Sequence, residues 1–245
     1  MITFLRTITA YFLVFIVLLI FLIPLIICAL LPEKYRYDNP IYYYSSYIIF
    51  WCILHFSFLP IQIIGKENLT KKPAIYVGNH QSALDIPVLA YLAGIKPNLW
   101  IVLEYYARQP VIGFFVRRMN ISVDREDSAK AAGTLIKVLR FLKDKNRNLL
   151  IFPEAGRFTD GNVHKFRSGF ALIAKQLNRP VIPVYMPNNG KIYPPGSFYI
   201  HNYPIKAIVG PQFVIGENET DEEFAQKVHD WFIMTSQPTT SETEK

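Results

Sequence analysis

Only two cysteines occur in 245 residues, Cys28 and Cys52, and both lie inside apolar runs. That excludes a disulfide framework and a cysteine-built metal site; they read as small core or lipid-facing residues, as fits a reducing compartment. Acidic side chains are also scarce. Nineteen Asp and Glu stand against 26 Lys and Arg, for a formal net charge of +7. The imbalance is local: the first 64 residues carry few charges, residues 65–216 hold the basic excess, and residues 217–245 are acidic. No helix-turn-helix, zinc or RNP-type pattern accompanies the basic stretch, so nucleic acid is not an expected partner. An anionic membrane surface or a phosphorylated substrate suits that charge better. There is no internal repeat. His164, His201 and His229 lack ligand-spaced partners, so no metal site is expected.

What the chain has in excess is apolar surface, at 51% hydrophobic and 15% aromatic residues, and the excess sits at the front. Thr7 to Pro32 carries no charge, which is long enough to span a bilayer as a helix, with a kink expected at Pro24. It is too long for a signal-peptide core, and no small-x-small pattern closes it. A polar turn over 33–40 leads to a second uncharged, aromatic-rich run, Ile41 to Gly65, whose Tyr42, Tyr43, Tyr44, Tyr47 and Trp51 suit a headgroup boundary. Two apolar helices and a short loop make a hairpin that either crosses the bilayer twice or dips into one leaflet. A buried core helix is the other reading of the second run. The positive-inside tendency puts the basic domain on the cytoplasmic side.

Residues 65–236 alternate strand-like and helix-like segments, the signature of a layered α/β domain. Strands are expected near 74–79, 99–103, 120–123, 148–153, 181–186 and 205–210. Helices are expected near 84–93, 105–117, 127–145 (capped by Asp127 or Ser128), 168–177 and 221–234. The tail over 237–245 is polar and expected to be disordered.

The chain is organised around Asn79-His80-Gln81-Ser82-Ala83-Leu84-Asp85. His80 falls in the turn after a strand, and Asp85 at the start of the next helix. Positions i and i+5 do not share a helical face, so the two meet only if the chain turns between them. An imidazole held by a carboxylate is a common general base. Taken alone, the stretch reads equally as a capping box, with Asp85 as N-cap and Pro87 in the first turn. Further charge and glycine follow later strands: Asp124-Arg125, then Pro153-Glu154-Ala155-Gly156-Arg157. Ligands in open α/β sheets bind beyond the strands' carboxyl ends. His80, Arg125, Glu154 and Arg157 can therefore share one rim, with two guanidiniums for a phosphate and Gly156 allowing close backbone approach. Surface salt bridges with Asp124, Glu126 or Glu154 are the alternative for the arginines.

These blocks, in this order, resemble those of the glycerolipid acyltransferases, specifically the 1-acyl-glycerol-3-phosphate acyltransferase family. Asn79–Asp85 resembles the first block, Arg125 stands where the second block has its arginine, Phe152–Arg157 resembles the third, and Val181–Val184 the fourth. The resemblance covers roughly residues 65–215. It implies an α/β acyltransferase domain behind a membrane hairpin (1–64), anchored in a cell inner membrane. The activity implied is acyl transfer from an acyl carrier protein or coenzyme A thioester to the free hydroxyl of lysophosphatidate, with no cofactor beyond that co-substrate. By the same analogy His80 is the base and Asp85 holds its ring. Arg125 and Arg157 bind the glycerol phosphate, and Glu154 positions the acceptor or the arginines. Asn79, Ser82 and Gly156 are further expected substrate-side residues; Ser82 reads as capping or positioning, since no Gly-x-Ser-x-Gly elbow is present. Lys165 joins a basic rim with Arg167 and His164 for an acidic carrier protein or anionic lipid. The third block departs from the usual Glu-Gly-Thr-Arg, reading Glu154-Ala155-Gly156-Arg157.

Overall fold

The computed structural model describes residues 1–124 and 128–237, so Arg125, the Asp127 cap and the tail beyond Gln237 lie outside the described residues. Helix α1 (Ile2–Leu30) is followed by the single turn α2 (Glu33–Arg36) and by α3 (Pro40–His55). Helix α3 starts on a proline, with the Asn39 side chain accepting the Ile41 N–H, a combination that satisfies a helix start. Then come β1 (Ile61–Ile64), β2 (Ile75–Gly78), α4 (Asp85–Ala93), β3 (Asn98–Leu103), α5 (Glu104–Ala107) and α6 (Ile112–Met119). The chain continues with β4 (Ile121–Val123), α7 (Ser128–Leu142), β5 (Asn148–Ile151), α8 (Gly169–Leu177), β6 (Val181–Tyr185), α9 (Asn189–Ile192), β7 (Ile205–Val209) and α10 (Asp221–Ser236).

The seven strands form one sheet in the order β1-β7-β6-β2-β5-β3-β4, parallel at every pairing except β6 with β7. Strand β2 is central, and alternate residues feed opposite cores. Ile75 and Val77 face Phe170, Phe224 and Phe232 on the α7, α8 and α10 side, whereas Ala74 and Tyr76 face Val88, Leu89 and Leu54 on the α3 and α4 side. The sheet is thus covered on both faces, as parallel strands require.

Two differences from the sequence reading have simple causes. The run from Ile41 to Gly65 is not all helix: after Pro60 its last residues form edge strand β1, paired with β7, so the sheet begins at Ile61 rather than after the front segment. A continuous apolar run carries no period with which to separate helix from strand. The single helical piece expected over 105–117 is split into α5 and α6 around Pro110, where the missing N–H and restricted φ break a helix.

Helix α1 is long and apolar enough to cross a membrane by length and composition. It runs alongside α3 and presents Phe12, Phe15, Leu19, Ile20, Ile23 and Ile27 outward. Both of its ends are bonded to the α/β domain. Near the start, Arg6 donates to Asn202 Oδ1 (2.7 Å) and the Ile200 carbonyl (2.5 Å), Thr7 Oγ1 accepts the Ile200 N–H (3.1 Å), and the Tyr11 hydroxyl donates to the Phe198 carbonyl (2.7 Å). At the far end, the Arg118 guanidinium donates to the carbonyls of Ala29, Leu30 and Leu31. In the turn that follows, Asp38 receives a two-pronged bond from Arg147 at 2.6 and 2.8 Å, which holds its carboxyl below the ordinary range.

Candidate active site

Strand β2 ends at Gly78, where an added Cβ would come within 3.0 Å of the Met186 side chain and 3.1 Å of the Phe152 ring, so a larger residue would have to push both aside. The next residue, Asn79, is buried and splints β2 to β6: its Nδ2 donates to the Met186 carbonyl (3.1 Å) and its Oδ1 accepts the Met186 N–H (2.7 Å). The chain then turns, and the turn brings His80 and Asp85 together. His80 Nδ1 lies 2.8 Å from Asp85 Oδ2. That same oxygen accepts the N–H groups of Gln81 (2.6 Å) and Ser82 (2.7 Å), and Oδ1 accepts from Asn189 Nδ2 (2.8 Å). Asp85 is fully buried, and four donors compensate its lost hydration.

A carboxylate has no proton to give, so Nδ1 carries the hydrogen and Nε2 presents a lone pair. Consistently, Arg157 Nε donates to His80 Nε2 at 3.1 Å. The ring's flat side is stacked on Phe152, centroids 4.0 Å apart and nearly parallel at 7°. Orientation is therefore set from three sides.

Glu154 acts on this loop through its backbone. Its Oε2 accepts the His80 N–H (2.8 Å) and its Oε1 accepts the His164 N–H (3.1 Å), so one carboxylate bridges the turn after β2 to the loop after β5. Burial pushes its carboxyl up from an ordinary 4.5 to about 7, against the pull of those two N–H groups. Among the described residues, the bonds of Glu154 go to these two amides and none to an arginine, and its side chain also lines the cleft. Asn79, expected on the substrate side, bonds the Met186 backbone instead, whereas Ser82 has bonds of the capping or positioning kind expected of it. Neither lines the cleft. Ser82 is fully buried, its hydroxyl donating to the Tyr193 carbonyl (2.6 Å) while accepting the Leu84 N–H (3.2 Å).

In the third block the left-handed backbone is at Ala155 (φ 53°), not at Gly156. Gly156 lines the cleft, where a Cβ would press on the Phe158 ring at 3.2 Å. Lys165 is exposed on the same rim. Arg125 cannot be placed, lying outside the described residues. Two residues were missed by the sequence reading. Asn189 carries no local motif, and Phe152, although it opens the third block, carries no sign that its ring stacks on His80.

His80 opens into a cleft of about 1470 Å³. One arm runs between α3, α4 and β3, lined by Tyr43, Phe50, Ile86, Ala90 and Trp100, with Lys96 and Asn98 as polar residues along it. The other passes under the loop after β5 toward α10, past Lys165, Phe166, Gln226 and His229. An oriented imidazole whose Nε2 lone pair meets the Arg157 guanidinium, with an apolar arm adjoining both, can move a proton next to a bound anion.

A mixed α/β sheet with a histidine–aspartate pair at the end of its central strand defines a class, and comparison with known proteins fits it. The Acyltransferase family model matches residues 60–187, and the chain belongs to that family. It is 28% identical over 215 residues to the 1-acyl-sn-glycerol-3-phosphate acyltransferase of Limnanthes alba, covering 85% of this chain and 74% of the relative. With the enzyme of the same name from Saccharomyces cerevisiae it shares 31% identity over 185 residues, covering 72% of this chain and 60% of that one. The crystal structure of the 1-acyl-sn-glycerophosphate acyltransferase PlsC from Thermotoga maritima superposes with a TM-score of 0.74 at 20% identity, over 96% of this chain and 95% of that one, which establishes a shared fold.

Proposed function

We propose that this acyltransferase moves an acyl group from a carrier-protein or coenzyme A thioester to the free hydroxyl of 1-acyl-glycerol-3-phosphate, giving phosphatidate. The observation that carries the reading is His80, with Nδ1 on Asp85 and Nε2 on Arg157, inside one cleft. In the proposed step the acceptor oxygen attacks the thioester carbonyl carbon while Nε2 takes the hydroxyl proton. The new C–O bond forms, the C–S bond breaks, and the proton passes from the imidazolium to the departing thiolate. A thioester is already activated, so the step needs no metal or other cofactor. A positioned base contributes about 10²- to 10⁴-fold to such a step.

Arg157 is assigned to the acceptor phosphate, Arg125 beside it by analogy, and the arm between α3, α4 and β3 to the acyl chain. The names of the relatives support the acceptor. Helices α1 and α3 are assigned to one leaflet, because both ends of α1 are bonded to the same α/β domain. The basic charge of that domain supports an inner-membrane position facing the cytoplasm. Lys165 and Arg167 are assigned to the donor's carrier.

The test is a panel of lyso-acceptors with one thioester donor and purified enzyme. The expected result is the highest kcat/KM with lysophosphatidate. A preference for a lysophospholipid bearing a head group, or for a lyso-aminolipid, would reject the acceptor while leaving the base assignment standing.

A further inference from the structure

The α5–α6 turn exposes apolar side chains that no packing explains. Tyr105, Val111 and Ile112 are 65%, 75% and 58% exposed, within a span of eight positions. Val111 is moreover held at φ 61°, a conformation that β-branched residues rarely adopt. The turn is built to be tight: an added Cβ at Gly113 would lie 2.5 Å from the Ala107 carbonyl, and Arg117 donates to that carbonyl. The fold thus spends backbone strain to present a valine outward, where a polar residue would serve a surface in water.

Three further observations say what covers this turn. First, cations surround it: Arg108 and Arg117 are exposed, and Arg108 lies 3.7 Å from Glu104. Second, it is continuous with α1. Arg118, six residues along α6 from Ile112, bonds the last carbonyls of α1, which puts the turn roughly 9 Å along α6 from the end of α1's outward apolar face. Third, it borders the cleft. Tyr106, Ile112 and Val116 line the cleft wall, and the Arg157 guanidinium lies over the Tyr106 ring at 5.8 Å.

We propose that the turn Arg108–Ile112 is a second membrane-contacting element, seated in an anionic lipid surface beside α1. Val111 and Ile112 enter the headgroup–acyl boundary, and the arginines meet lipid phosphates. The cleft then opens at the bilayer surface, so that an amphiphile moves past Ile112 and Tyr106 toward Arg157 without passing through water. The inference rests on the membrane assignment of α1 but not on the identity of the acceptor.

The test labels Val111→Cys in the full chain with an environment-sensitive fluorophore; Cys28 and Cys52 are buried. A label at Glu217, which is exposed and follows β7 toward the opposite edge of the sheet, is the control. In vesicles containing phosphatidylglycerol, the label at 111 is expected to shift blue and to be quenched by headgroup-proximal lipid quenchers, and the label at 217 is not. Equal behaviour at the two positions would overturn the proposal, and equal quenching at 111 in pure phosphatidylcholine would overturn its anionic partner. Val111→Asp supplies a second readout. KM for acceptor presented in vesicles should rise roughly tenfold, with KM for a short-chain acceptor dispersed as monomers unchanged. A matching rise for both acceptors would mean a merely structural role and would overturn the assignment.

Discussion

Arg157 Nε donates into His80 Nε2 at 3.1 Å, the one ring nitrogen that Asp85 leaves with a lone pair. The group assigned to grip the acceptor's phosphate thus touches the group assigned to take its proton. An anion bound by the remaining guanidinium N–H groups lies next to the base, and the hydroxyl it carries replaces Nε as the partner of Nε2. Arg157→Ala is expected to raise KM for the phosphorylated acceptor about 10- to 100-fold, the range of a charge-assisted hydrogen bond. Arg157→Lys should recover only part, since an ammonium lacks the planar fork. Steady-state kinetics at fixed thioester decide it, and an unchanged KM for Arg157→Ala would remove the residue from the phosphate site.

His80→Ala and Asp85→Asn separate chemistry from architecture. Without the ring, Asp85 keeps its bonds from Gln81, Ser82 and Asn189. His80→Ala should therefore lower kcat by about 10²- to 10⁴-fold with little change in thermal midpoint. Asp85→Asn puts one acceptor and two donors where only donors converge, so it should lose activity and also about 1–3 kcal/mol of stability. Normal turnover in His80→Ala would end its assignment as the base.

Glu154 gives a pH dependence whose sign is fixed. Its folded-state value of about 7 stands above an ordinary 4.5, so the folded chain holds this proton more tightly than the unfolded chain. The stabilising contribution is complete below about pH 4.5 and disappears as pH rises through 7, a swing of roughly 3 kcal/mol at most. Thermal midpoints of Glu154→Gln at pH 5 and pH 8 should differ less than those of the wild type. An identical difference in both proteins would show that the carboxyl does not titrate in that window.

Ala155 sits at φ 53° where the family's usual third block has glycine. A left-handed alanine is strained by about 1 kcal/mol. Ala155→Gly should raise the thermal midpoint and leave transfer intact, and differential scanning would show a fall instead if the turn depended on the methyl group.

The legible parts were those with a period or a local order of residues. Ser128–Leu142 announced a helix through its apolar spacing, and His80 with Asp85 could be paired because one turn joins them. Ile61–Ile64 was hidden because it continues an apolar run, and only pairing with β7 reveals it as a strand. Asn189 reaches Asp85 across a separation of 104 residues, which no local pattern encodes. Asn79, Ser82 and Glu154 lie in the stretches that the motifs single out, but their bonding partners are not written there. Their side chains serve the backbone of neighbouring loops, and a motif shows which residue types recur without saying which atoms they touch.

The fastening of α1 at both ends has a mechanical meaning. At about 1.5 Å per residue its 29 residues form a bar roughly 44 Å long, tied down by Arg6 at one end and Arg118 at the other. A free helix answers a thicker or thinner lipid film by changing its tilt. Under the proposed membrane seating, a bar riveted to its own enzyme has no such freedom, and the catalytic body would keep one fixed height above the acyl chains whatever the lipid length.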